Sequence, residues 1–185
     1  MKIELSSSRI TTVLLVTVLC LALAGIAIEL IPHYTGHNYL FGLVRQFDLD
    51  GEANIPAWYS SFLLLLCCIL LAIIAAAKKI SGDKYRFHWR AMSIIFLFLA
   101  IDETAQIHDM ITATLRISGF RPSGFFYYSW IIPYGIFCLI LVASFLKFLA
   151  HLPVKTRWLF MIAGAIYVAG ALGMEMVTGF YRTLY

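Results

Sequence analysis

The sequence predicts an all-α fold, a polytopic membrane bundle of about five transmembrane helices. Three observations carry that expectation: an apolar composition, five apolar stretches of spanning length, and tryptophans placed where those stretches begin. Of 185 residues, 62% are hydrophobic and 13% charged, against roughly 25% charged in soluble domains. The mean hydropathy is +0.87. Residues 1–185 are expected to form a single transmembrane domain.

A helix crosses the hydrocarbon core in about 20 apolar residues. The first such stretch runs from Ile10 to Ile31. Lys2 and Arg9 ahead of it, with Ala22-Leu23-Ala24 inside it, resemble a signal peptide, but the run is of span length. Leu19 before Cys20 also argues against lipoprotein processing, so an uncleaved first helix is expected. The second stretch covers 57–77, behind Asn54 as a cap and Pro56 in the first turn. The third, 91–112, carries Asp102 and Glu103. The fourth, 127–150, contains Pro133, expected to kink it. The fifth, 158–180, carries Glu175 and a small-residue ridge, Ala165, Ala169 and Gly173, suited to close helix contact with a membrane protein partner or a second copy.

Trp58, Trp89, Trp130 and Trp158 each stand at the start of a stretch, as expected of indole rings at a membrane interface. The outer loop 32–56 is the longest connection, and Tyr39 to Phe47 suggest either a short interfacial helix or a packed loop.

Orientation follows from lysine and arginine. Lys2, Arg9, Lys78, Lys79, Lys84, Arg86, Arg90, Lys147, Lys155 and Arg157 fall on one side, and Arg45, Arg116, Arg121 and Arg182 on the other. Ten against four puts the N-terminus inside and the C-terminus outside, with the plasma (inner) membrane as the expected location. The net charge of +4 therefore orients helices in the lipid bilayer, and nucleic acid is not an expected partner. The cysteines all lie in apolar runs, which disfavours disulfides and soft-metal sites. His88 and His151 sit beside basic residues and are expected at the inner interface.

The acids are distributed unevenly. Glu29, Asp48, Asp50, Glu52, Asp102, Glu103, Asp109 and Glu175 fall in the outer half, with His33, His37 and His108. An ionised carboxylate inside the hydrocarbon costs about 2.5 to 3.5 kcal/mol on insertion scales, so it is expected to face protein and to have partners. In a continuous third helix, Asp102, Gln106 and Asp109 share a face, Glu103 is adjacent, and His108 points elsewhere. Metal-ligand candidates are therefore Asp102, Glu103, His108, Glu175 and Glu52, with Asp102 or Glu103 as catalytic general base. Carboxylates with imidazole suit zinc, iron or manganese, although the Glu-x-x-His spacing of di-iron bundles is absent. Asp48-Leu49-Asp50-Gly51-Glu52 is not a calcium loop, because its glycine is misplaced and Tyr59 stands where the bidentate glutamate belongs.

Three functions fit this pattern: a metal-dependent enzyme acting on a lipid or other apolar substrate, a non-catalytic subunit or assembly factor of a membrane complex, and a proton or cation path. Over a few residues only, the Asp-Glu pair with membrane carboxylates and histidines is similar to membrane zinc hydrolases of the alkaline-ceramidase type. Five spans rather than seven set the chain apart, and no family is assigned on that basis.

Overall fold

The computed structural model describes residues 6–36 and 42–184, apart from the side chains of Pro32, His33 and Thr35. His37, Tyr39, Leu40 and Phe41 lie outside the described residues. Within these limits the chain is helical: α1 Ser7–Thr35, α2 Leu43–Phe47, α3 Ile55–Ile80, α4 Arg86–Ala105, α5 Ile107–Ile117, α6 Ile131–His151, α7 Val154–Val168 and α8 Glu175–Leu184. A 3-10 turn covers Gly124–Phe126, and a π-helical segment, Ala169–Met174, joins α7 to α8. Among the described residues, four helices are long and apolar enough to cross a membrane. A fifth is added if α4 and α5 count as one broken span.

Two compact units divide the chain. The first comprises Met1–Cys68 and Phe96–Ala105. The hydroxyls of Thr11, Thr12 and Thr17 on α1 donate to the carbonyls four residues earlier, which satisfies polar groups inside an apolar helix. Gly25 is buried because Leu49 packs on α1 at this point. A Cβ on Gly25 would collide with the Leu49 side chain. Tyr59 donates its hydroxyl to the Leu14 carbonyl at 3.2 Å.

The second unit comprises Ile69–Ile95 and Gln106–Tyr185. The end of α3 closes on Gly82, whose φ of +67° is the left-handed conformation that glycine tolerates. Gly82 and Asp83 donate their backbone N–H groups to the Lys79 and Lys78 carbonyls, the Schellman pattern of a helix end. Lys78 Nζ then pairs with Asp83 at 2.8 Å, and Asp83 accepts the Tyr85 N–H at 2.7 Å. The core of this unit is aromatic. Phe148, with no exposed surface, lies against Tyr85, His88, Trp89 and Phe145. His151 packs on Tyr85 as well, so His88 and His151 both belong to this cluster. Glycine also shapes the α8 contact: a Cβ on Gly179 would stand 3.0 Å from Tyr127 Cβ. Thr183 accepts the Gly124 N–H there and donates to the Gly179 carbonyl.

Three expectations change. The third stretch is not one straight helix: α4 and α5 meet at a 68° bend, at Gln106, whose φ is +54°. Pro133 produces no mid-helix kink, because α6 starts at Ile131 and places it third, in the turn whose N–H groups lack helical partners anyway. The four tryptophans, alike in sequence position, divide in burial: Trp58 and Trp158 are exposed, whereas Trp89 and Trp130 are buried. The ridge on the last span does not continue through regular α-helix either, since Ala169 and Gly173 belong to the π-helical segment. Of the outer loop, Leu43–Phe47 is helical.

Candidate carboxylate site

Asp102 and Glu103 lie in the last turns of α4 because the helix ends three residues further on. Gln106 adopts the left-handed backbone region, which a non-glycine residue enters at a cost of about 1 to 2 kcal/mol. A continuous helix would place Asp102, Gln106 and Asp109 on one face; the break removes that relationship. Asp102 is buried, at 6% exposure, and Glu103 is half-buried.

Electrostatics at this position favour a cation. A helix carries a partial negative charge at its C-terminus, and the last turn of α4 holds no basic residue. Two carboxylates therefore stand where the helix already has its negative end.

In the same unit, the loop after α2 is organised by one side chain. Asn54, 4% exposed, accepts the Ala57 N–H at 3.0 Å and donates to the Asp48 and Gly51 carbonyls. It caps α3 and closes the acidic turn at once. Asp48 in turn accepts the Asp50 N–H at 3.0 Å. These bonds fix the backbone of the acidic turn. Glu52 stands half-buried within it. Between this loop and the end of α4 lies a cavity of about 410 Å³, lined by Gln46, Ala53, Asn54, Ile55, Ala57, Trp58, Glu103 and Thr104. Among the described residues Glu103 is its only ionisable lining group, and the walls are otherwise largely apolar.

A hydroxyl relay fastens the carboxylate turn. Thr104 donates to Ser61 at 2.8 Å, and Ser61 donates to the Ala100 carbonyl at 2.7 Å.

The first unit thus contains three of the five residues singled out from the sequence: Glu52, Asp102 and Glu103. His108 and Glu175 belong to the second, on α5 and α8. The His108 ring lies 4.9 Å from that of Trp130, whose backbone N–H is held by Thr112 Oγ1 at 3.2 Å. Glu175 opens α8 just after the π-helical segment and is half-buried. Sequence reasoning missed the cavity and the hydroxyl relay. Asn54 next to Ile55-Pro56 signalled the cap, but nothing local signalled that the same amide would hold the acidic turn.

A family model described as a domain of unknown function, DUF8692, matches residues 9–185. The chain belongs to the DUF8692 family. No curated protein and no solved structure matches this DUF8692 chain.

Proposed function

We propose that this DUF8692 member is a membrane-embedded protein whose intramembrane carboxylates bind a divalent metal ion. The observation that carries this reading is the position of Asp102 and Glu103 at the negative end of α4, one buried and the other facing a cavity, with no basic residue in that turn. Carboxylate oxygens suit manganese, iron or zinc, and an imidazole ligand would favour zinc or iron. Glu52, His108 and Glu175 join the candidate ligands by residue type. The lysine and arginine bias places the N-terminus inside and this site toward the outer leaflet.

A bound ion would lower the pKa of a coordinated water and polarise a substrate carbonyl or phosphoryl group. Whichever of Asp102 and Glu103 does not coordinate the ion would serve as general base, and the apolar walls at Ile55, Ala57 and Trp58 admit part of a lipid or other apolar substrate. The test is metal stoichiometry of the purified chain. Bound metal that is lost in Glu103→Ala or in His108→Ala supports the reading. A fully folded, metal-free protein overturns it.

A second reading, a subunit or assembly factor, is favoured by one observation. Nothing in the apolar window of the Val154–Leu184 span is buried, and a Cβ at Gly164, Gly170 or Gly173 would meet no atom within 4 Å. Such a surface accepts a partner helix. Co-purification of a stoichiometric partner in mild detergent supports this reading, and a metal-loaded monomer argues against it.

A further inference from the structure

We propose that the groove between the end of α3 and the start of α4 is a binding site for an anionic phospholipid of the inner leaflet. This rests on the membrane reading above but not on the metal.

The two helical stretches belong to one compact unit and are joined by the short turn at Gly82. Between them is a cavity of about 650 Å³. On α3, Ala72, Ala75, Ala76 and Lys79 line it, a spacing that sets them on one helix face. On α4, Arg86 and Arg90 line it one turn apart. The three basic groups gather near the hairpin end, and the alanines extend away from it toward the middle of the span. From Lys79 to Ala72 is about 10 Å at 1.5 Å per residue.

Charge complementarity argues for an anion. Among the described residues no acidic one lines the groove. The nearby acid, Asp83, pairs with Lys78 instead. Lys79, Arg86 and Arg90 are exposed, and among the described residues none of them has an ion pair. The Arg86 guanidinium lies over the Phe87 ring at 5.0 Å, which places the cation beside the groove. Its first-turn position on α4 adds the positive end of a helix dipole.

The apolar length argues for lipid rather than free phosphate. A soluble phosphate would engage only the three cations and leave the alanine channel empty. A phospholipid would place its phosphate among the cations and lay an acyl chain along Ala76, Ala75 and Ala72. Ile94 offers that chain an apolar wall with 56% exposure. Basic pockets between spanning helices on the cytoplasmic side are suited to anionic headgroups.

The experiment uses the full chain reconstituted into phosphatidylcholine vesicles, with and without phosphatidylglycerol, and native mass spectrometry of the retained lipid. We expect phosphatidylglycerol to be retained in preference to phosphatidylcholine by at least tenfold. Each of Lys79→Gln, Arg86→Gln and Arg90→Gln should weaken that preference about fivefold, the scale of one basic residue near an anionic surface. Ala76→Trp fills the channel while keeping every charge and should also abolish retention, whereas Lys84→Gln, outside the groove, should not change it. Four results overturn the proposal: equal retention of both lipids, full retention by Ala76→Trp, displacement of the lipid by glycerol phosphate at equal concentration, or a second copy of the chain filling the groove. Failure to insert into phosphatidylcholine vesicles would overturn the membrane reading and this inference together. Insertion without lipid preference overturns the inference alone.

Discussion

Ser61 accepts a hydrogen bond from Thr104 at 2.8 Å and passes one to the Ala100 carbonyl at 2.7 Å, so α3 holds the turn of α4 that carries Asp102 and Glu103. A hydrogen bond contributes about 0.5 to 1.5 kcal/mol net, and of these two one is part-buried and the other exposed. Ser61→Ala should therefore lower stability by about 1 kcal/mol, read as reduced thermal resistance in detergent. On the metal reading, it should also weaken metal affinity without changing stoichiometry. An unchanged melting curve would show that the relay does not hold the turn.

Gln106 tests the bend. Its left-handed backbone is strained for any residue with a Cβ and relaxed for glycine. Gln106→Gly should hold or raise stability, by up to about 1 kcal/mol, and Gln106→Val should lower it by roughly 1 to 2 kcal/mol. The opposite order in thermal unfolding would mean that the helix does not break here.

Asn54 links the acidic turn to α3 through three hydrogen bonds. Loss of an N-cap costs typically about 1 kcal/mol, and the two part-buried bonds to the Asp48 and Gly51 carbonyls are lost as well, at about 0.5 to 1.5 kcal/mol each. Asn54→Ala should destabilise by about 2 kcal/mol and expose the 48–53 segment to protease in the folded state. Resistance equal to wild type would contradict the capping role.

The helix hairpin should respond to acid through Asp83. The side-chain hydrogen bond from Lys78, then the Tyr85 backbone N–H, hold its carboxyl below the usual carboxylate value of 3.8. A lowered folded-state pKa stabilises at pH above the unfolded-state value and ceases to do so as pH falls through the folded-state value. Carboxyl NMR of Asp83 should show a midpoint below that of an unstructured aspartate, and Asp83→Asn should remove this part of the acid response. A midpoint at or above the ordinary value would contradict the contacts.

The spanning segments were legible because apolar length depends on composition alone. The 57–77 stretch became Ile55–Ile80 with its Asn54 cap intact, since a cap is a signal contained in a few consecutive residues. The break at Gln106 was not legible, because glutamine has no left-handed preference. Pro133 was misread because Tyr127 to Trp130 are apolar enough to pass for helix, whereas Ser129 and Trp130 are buried in the lead-in to α6 and Trp130 is tied to Thr112. Trp89 stands at the start of α4 as its sequence position suggests, but its ring packs on Phe148 and Phe160, a burial that the sequence did not signal. Of the candidate site, costly residue types such as Asp102 and Glu103 were visible in the sequence. The cavity beside Glu103 was not, because it depends on a loop some fifty residues earlier.

The central claim is most directly tested by X-ray absorption at the metal edge on the full chain purified from membranes, with stoichiometry measured on the same sample. The expected result is a stoichiometric divalent ion surrounded by oxygen and nitrogen ligands, with occupancy lost in the Asp102→Asn, Glu103→Gln double variant. A folded protein without metal, or an ion held by sulfur, would contradict it.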